Sequence, residues 1–287
     1  MITLALLLAV AVWLVLPFVP ALHEAFRQND AGSLPVSDRY VEDLRTPYDA
    51  PIGPSESVTD EVPGLGTLRL KAGTKVARNV AAGTTLEVEG GVVLRGSAEA
   101  GRRAWLGSDV RFERVHAPTI DIGVVLDTPP ARRPPTFEVN LGVELLANRA
   151  LVPGDLTLPA RGRLDATLVV TGDLVIQDGA VVEGDVKAHG DIVVEPGARV
   201  GGNLFASGSL TIGDWAEVGG AAVTEQTLCL GRGARVGRPD APTTASGRTV
   251  IAAAGACVHG TLWAEEEGRT VDRLEGGRST RAVLQAT

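Results

Sequence analysis

GDLVIQDGAVVEGDVKAH at 172–189 and GDIVVEPGARVGGNLFAS at 190–207 are consecutive 18-residue windows that repeat one pattern. Windows in the same register flank them at 154–171 and 208–225. Two more occur upstream, across 66–101. A short repeat of fixed length predicts a solenoid, in which each unit buries its apolar side by stacking on its neighbours.

The windows carry apolar side chains at positions 3, 5, 11, 15 and 17, with Thr224 as the polar exception; in 172–189 they are Leu174, Ile176, Val182, Val186 and Ala188. A spacing of two is the side-chain period of a β-strand. Glycine recurs at positions 8 and 13, where it marks corners between short strands. No stripe with the 3.6-residue period of a helix runs through the windows. The pattern therefore predicts an all-β fold, a single-stranded parallel β-helix with three strands and three corners in each 18-residue coil.

Composition and motifs argue against several classes of function. The net charge is −8 and no basic stripe occurs, which argues against a nucleic-acid partner. Cys229 and Cys257 fall at positions 4 and 10 of their coils, so we expect them on different faces, with no disulfide and no metal site. No nucleophile, phosphate-loop or metal-binding motif is visible. The sequence therefore predicts no catalytic residue, no cofactor and no enzymatic activity.

Residues 1–22 contain no charged side chain and are long enough to span a bilayer, so we predict an N-terminal transmembrane helix. A cleaved signal peptide is the competing interpretation, although no Lys or Arg precedes the apolar run. The nearest cationic residues, Arg27, Arg39 and Arg45, follow the span, and this charge distribution places the rest of the chain in the cytoplasm.

Changes of composition divide the remaining chain. The predicted segments, in order, are a flexible tether at 23–61, a first β-helix block at 62–123, a proline-rich insertion or irregular coil at 124–153, a second block at 154–265 and a disordered tail at 266–287. Proline excludes DTPPARRPP, at 127–135, from a strand ladder. A loop at 238–247 is expected to interrupt the second block.

Position 16 of the second block faces outward, yet it holds Val169, Phe205, Val223 and Trp263, with Lys187 as the polar exception. Exposed apolar side chains in a row are typical of a contact surface. These four residues are the candidate interface, for lateral association or membrane contact. The alternative is that the loop at 238–247 or the tail covers them.

The windows of the second block, with a Leu/Ile-x-Ile/Val strand, then Gly-Ala-x-Val, a glycine corner and a strand ending in Ala, resemble those of bactofilins, polymer-forming bacterial cytoskeletal proteins. The resemblance covers 154–237 and extends more weakly to 66–101. It implies a right-handed β-helix that stacks end to end into homopolymers without nucleotide, at the bacterial inner membrane. Other copies of the chain, the inner membrane and cell-envelope proteins are then the expected partners. The split solenoid, the proline-rich loop and the long tether depart from the family pattern.

Two other functions remain open. Positions 5, 11 and 17 lie six residues apart, which also resembles the hexapeptide-repeat acyltransferases. The bulky residues at position 3, such as Leu174, Ile192 and Leu210, depart from the small residue of that pattern. A secreted β-helical adhesin or lyase would require a cleaved leader, and no carboxylate or basic cluster supports lyase chemistry.

Overall fold

The structure is a computed structural model that describes residues 57–58, 62–64, 66–124, 136–142, 145–146 and 148–274. The predicted anchor at 1–22, most of the predicted tether and residues 275–287 of the predicted tail lie outside the described residues. Every regular element within these ranges is a β-strand, which confirms the all-β prediction. The described residues include no helix long and apolar enough to cross a membrane.

The described part of the chain forms 29 strands in one sheet. In chain order, β1 to β29 span Ser57–Val58, Val62–Gly64, Thr67–Leu70, Lys75–Val76, Val80–Ala82, Thr85–Val88, Val93–Leu94, Ser97–Ala100, Arg103–Leu106, Arg111–Ile122, Phe137–Glu138, Leu145–Leu146, Arg149–Val152, Leu156–Leu158, Gly162–Leu164, Thr167–Val170, Leu174–Ile176, Val181–Val182, Val186–Ala188, Ile192–Val194, Arg199–Val200, Leu204–Ala206, Leu210–Ile212, Glu217–Val218, Ala222–Thr224, Thr227–Leu230, Arg235–Val236, Thr243–Ala253 and Cys257–Val271. We refer to β1–β10 as the first block and to β11–β29 as the second block.

The strands stack in parallel at the predicted spacing. Leu174 pairs with Leu156 on one side and with Ile192 on the other, one full period away in each direction. The same offset links β15 to β18 and β16 to β19. Each coil therefore has three faces, which we call face A (positions 3–5), face B (positions 10–11) and face C (positions 15–17). The parallel β-solenoid with 18-residue coils is confirmed.

The interior contains the inward positions that the sequence predicted and also position 9, where Ala180, Ala198 and Ala216 are buried. In the six complete windows all of the predicted positions are buried except Leu156, which is half-buried and packs against the core. The polar member of the predicted set, Thr224, is buried too, and its hydroxyl donates to the carbonyl of Gly208. Position 8 forms a corner with positive φ, as at Gly179 (64°) and Gly197 (71°).

Aspartates at the corners explain why Gly-Asp recurs at the start of the windows. The Oδ1 of Asp155 accepts the backbone N–H of Asp173 at 2.9 Å, and the Oδ1 of Asp173 accepts that of Asp191 at the same distance. A second ladder runs from Asp185 to the N–H of Asn203 and from Asn203 to that of Ala221. Corner N–H groups have no partner within their own coil, so these side chains satisfy them from the neighbouring coil.

The two blocks meet through their last strands. β10 and β29 pair antiparallel, with Val115 opposite Leu262 and Arg111 opposite Arg269. β10 also pairs in parallel with β7, β8 and β9, and β29 with β27 and β28, so each is the last layer of its own block. The described part of the chain therefore forms one continuous sheet of about ten coils, in which the strand direction reverses at the β10–β29 junction.

The boundaries differ from the predicted ones at three places. β1 and part of the first coil begin inside the predicted tether, because Ser57 and Val58 pair with Lys75 and Val76 of β4. β28 begins at Thr243, inside the predicted loop at 238–247. β29 continues to Val271, past the predicted end of the second block at 265, because its last residues pair with both β28 and Arg111 of the first block.

Candidate interaction surface

Face C of the second block carries the four predicted interface residues in a single row. Strand pairing places them side by side in successive layers, in the order Leu151, Val169, Lys187, Phe205, Val223, Ser246 and Trp263. We call these seven residues the face C row. Neighbouring parallel strands lie about 4.8 Å apart, so its six steps span roughly 29 Å.

Several members of the row are exposed despite being apolar. Leu151, Phe205 and Trp263 expose 58%, 40% and 48% of their surface, whereas Val169 and Val223 are half-buried. A monomeric protein usually scatters such residues singly, so their alignment is the feature that needs an explanation. The geometry therefore fits a ligand that lies along the solenoid axis, such as a second β-surface or an apolar groove.

The loop that could have covered the row does not cover it. Residues 243–253 are strand β28, which is itself one layer of the stack and contributes Ser246 to the row. Trp263 in the next layer stays half-exposed. One of the two coverings considered for the row is therefore wrong, because residues 243–247 extend the sheet instead of crossing its surface.

Sequence reasoning missed two members of the row. Leu151 stands one period before Val169, so counting back by one window would have identified it, although its coil is irregular. Ser246 comes after Val223 by more than the 18 residues of one period, because the turn at 238–241 lies between them. Counting forward by one window therefore does not identify it. Beyond Trp263 the row meets Arg114 of the first block, a contact made across the antiparallel junction.

A cysteine and a histidine lie close together at the edge of the junction. The Cys257 Sγ is 3.7 Å from the His259 Nε2, and the His259 Nδ1 is 3.2 Å from the carbonyl oxygen of Pro118. Burial, together with the negative charge of Asp121, raises the pKa of Cys257 to about 12. The thiol is therefore protonated at neutral pH, which is the opposite of what a nucleophilic cysteine requires.

Next to this pair is an open depression of about 430 Å³, lined by Thr85, Arg102, Arg103, Pro118 and Thr119. Arg103 is already paired with Asp121 at 3.0 Å. The described residues contain no group of three or more His, Cys, Asp or Glu side chains that could hold a metal ion. Of the surfaces in the described ranges, the face C row is the one that both the sequence and the structure single out.

The described residues thus define a β-solenoid of two blocks with one apolar row along its outside. No family model, no curated protein and no solved structure matches the chain. Its function is therefore inferred from the fold, the row and the ends of the solenoid.

Proposed function

We propose that this chain is a bactofilin-like structural protein that self-assembles by end-to-end stacking of its coils, or that scaffolds cell-envelope and cell-shape proteins. The observation that carries the proposal is the solenoid itself, because each coil joins the next along its strand edges. Such edges pair readily with strands of another chain. A right-handed winding belongs to the same proposal, since it is implied by the family resemblance.

The proposed location is the bacterial inner membrane. Residues 1–22 serve as a single-pass anchor, residues 23–61 as the tether, and the β-helix lies in the cytoplasm. The uncharged run and the arginines that follow it support this arrangement. An anchored solenoid would concentrate its copies on one surface, where weak contacts between them are reinforced by proximity.

The face C row is the proposed side contact of the scaffold. Phe205 and Trp263 provide large apolar surfaces of the kind that dominate protein interfaces. Val223 lies beside Phe205, and Val169 lies on the other side of Lys187. Lys187 interrupts the row with one positive charge. A partner that matches both features carries an apolar stripe and a single acidic residue near its centre.

The hexapeptide acyltransferase is the less favoured alternative. Its general base would be a histidine. His116 contacts the hydroxyl of Thr261 at 2.9 Å, and His259 contacts Pro118 and Thr119, which suits structural roles at the junction. The bulky residues at position 3, including Leu174 and Ile192, are fully buried and fill the interior at a place where that family has small residues.

The full-length chain in detergent and on lipid vesicles, imaged by electron microscopy, tests the proposal. We expect assemblies larger than a monomer, or capture of envelope proteins that depends on the face C row. Phe205→Asp combined with Trp263→Asp should abolish lateral contacts without unfolding the solenoid, whereas Glu99→Lys, on face C of the first block, serves as the matched control. Monomers without partners at every concentration would contradict the proposal, and discrete trimers that bind an acyl donor would favour the alternative.

A further inference from the structure

The segment that joins the two blocks begins and ends at the same corner of the second block. This corner, at positions 6–9 between face A and face B, is called the A–B corner. At the junction, Gly255 on this corner donates its N–H to the carbonyl of Ile122, the last residue of β10. In the first coil of the block, Phe137 of β11 donates its N–H to the carbonyl of Arg161, on the same corner. Residues 125–135 lie outside the described residues, but covalent continuity requires them to connect these two places.

The distance between the two places follows from the stacking of the coils. Position 8 lies on the A–B corner, and its occupants in successive coils are Arg161, Gly179, Gly197, Trp215, Gly233 and Gly255. Five steps therefore separate Arg161 from Gly255, and one more step at each end leads to Phe137 and to Ile122. At about 4.8 Å for each step, the chain has to cover roughly 34 Å along the solenoid axis.

The connecting segment has little length to spare. From Val124 to Phe137 the chain spans about 40 Å in the polyproline II conformation, at 3.1 Å for each residue. The sequence DTPPARRPP at 127–135 contains four prolines, which favour this extended conformation. A course along the A–B corner uses most of that length, so little remains for a detour over another face.

Trp215 lies near the middle of this course. Its φ is 60°, a conformation that is unfavourable for a bulky residue, and the coils on either side hold Gly197 and Gly233 at the same position. The indole ring lies against Gly233, where a Cβ would overlap it, and the side chain is only half-buried. The coil therefore accepts a disfavoured backbone conformation without gaining a buried side chain, which points to a role at the surface.

The segment and the corner match in order along the axis. An even spacing of the residues from Val124 to Phe137 over the seven layers brings Pro129 and Pro130 level with Trp215. The same spacing brings Arg132 and Arg133 level with the next two coils, which carry Glu195 and Asp178 on this corner. The Glu195 Oε2 accepts the N–H of Asp178 at 3.0 Å, and the Asp178 side chain is exposed. Aromatic rings are the usual docking surface for polyproline II segments, and the carboxylates are complementary to the two arginines.

We propose that residues 125–135 dock along the A–B corner of the second block, with Pro129 and Pro130 against the Trp215 ring and Arg132 and Arg133 beside Glu195 and Asp178. The docked segment ties β10 to β29 through the covalent chain, because a short, held connection keeps the two blocks at a high effective concentration. It also occupies the A–B corner, so external partners would have to bind elsewhere. This inference does not depend on the proposed self-assembly.

Limited digestion with trypsin tests the contact with Trp215. Trypsin cleaves after Arg132 but not after Arg133, because Pro134 follows it. Trp215→Gly introduces the residue that the neighbouring coils carry, so the solenoid should fold and its thermal midpoint should not fall. Cleavage after Arg132 should accelerate at least about fivefold, since the segment is released from the corner. The matched control is Trp263→Ala, on the face C row, which should leave the cleavage rate unchanged.

A pair of cysteines tests the course of the segment independently. Ala131 is level with Pro196, which is exposed on the A–B corner one coil from Trp215. In a chain with Cys229→Ser and Cys257→Ser, Ala131→Cys with Pro196→Cys should form an intrachain disulfide on mild oxidation, identified by peptide mass spectrometry. Ala131→Cys with Phe205→Cys, on face C, should not cross-link.

Several results would overturn the inference. An unchanged cleavage rate in Trp215→Gly would exclude the indole as the docking surface, and an equal acceleration in Trp263→Ala would indicate general loosening. Absence of the disulfide between positions 131 and 196 would exclude the course along the corner. A disulfide formed only between chains would show that the segment docks on a second copy.

Discussion

The first and second blocks have the same interior but differ on face C. In the first block, the outward residues at position 16 are Ala81, Glu99 and His116, aligned by strand pairing. In the second block the same position carries the apolar face C row. Inward residues are fixed by the need to fill a narrow coil, whereas outward residues are free to vary, so this difference is the reason why we propose the contact surface in the second block.

The outer ends of the blocks differ as well. In the first block the inward residues Leu68 and Val80 are buried, while in the first coils of the second block Leu156 and Phe137 are only partly covered. A solenoid normally needs a cap at each end to remain soluble. Here each block caps the inner end of the other, through the antiparallel pair of β10 and β29.

Among the substitutions at the junction, removing the Phe112 side chain is expected to lower the free energy of unfolding most. It is the largest of the fully buried side chains in the described ranges and lies at the junction. Phe112→Ala should cost about 3–5 kcal/mol of unfolding free energy, because it leaves a cavity between the blocks. Urea denaturation followed by circular dichroism measures the change. The control Phe205→Ala, on the exposed row, should stay within about 0.5 kcal/mol, and equal effects of the two substitutions would contradict the junction.

Removing the Thr270 hydroxyl is expected to have a smaller effect at the same place. Thr270→Val leaves the N–H of Val110 and the carbonyl of Gly107 without their buried partner. The loss should be about 1–3 kcal/mol. Thr261→Val removes a hydrogen bond to His116 on the exposed surface and should cost much less. If both variants unfold at the same urea concentration, the hydroxyl of Thr270 is not buried as described.

The smallest expected effect concerns the alkylation rates of the two cysteines. Burial raises the pKa of Cys229 to about 11, and burial together with Asp121 raises that of Cys257 to about 12. Both thiols should therefore react slowly with iodoacetamide at pH 8, since little thiolate is present. Asp121→Asn removes a negative charge beside Cys257, lowers its pKa and should accelerate its alkylation. Cys229 is the internal control, and an equal acceleration of both would indicate general loosening.

Much of the fold could be predicted because the coil interior repeats. Leu174, Ile192 and Leu210 recur at one period, so the sequence predicts both the strands and their register. The β10–β29 junction could not be predicted, because an antiparallel pairing of two distant segments leaves no period in the sequence. β10 also pairs with β8 and β9 at offsets shorter than the period, as in Arg114 with Ser97, which hides it from a search at fixed spacing.

The candidate surface, too, could be predicted only where it follows the 18-residue period. Val169, Phe205, Val223 and Trp263 were predicted from the period and are aligned by the strand pairing. The partial exposure of Leu156 and Phe137 was not predicted, because it depends on packing between coils that the period does not describe. The repeat in the sequence therefore predicts which side chains align along the solenoid. It does not predict how the terminal coils are covered.

A disulfide across the junction tests the central claim most directly. His116 and Thr261 are opposite each other in the antiparallel pair, with the His116 Nδ1 2.9 Å from the Thr261 Oγ1. In a chain with Cys229→Ser and Cys257→Ser, we expect His116→Cys and Thr261→Cys to form an intrachain disulfide on mild oxidation, identified by peptide mass spectrometry. Glu99→Cys with Thr261→Cys, two strands apart, should not cross-link. Absence of the first disulfide, or its formation only between chains, would contradict the junction of the two blocks.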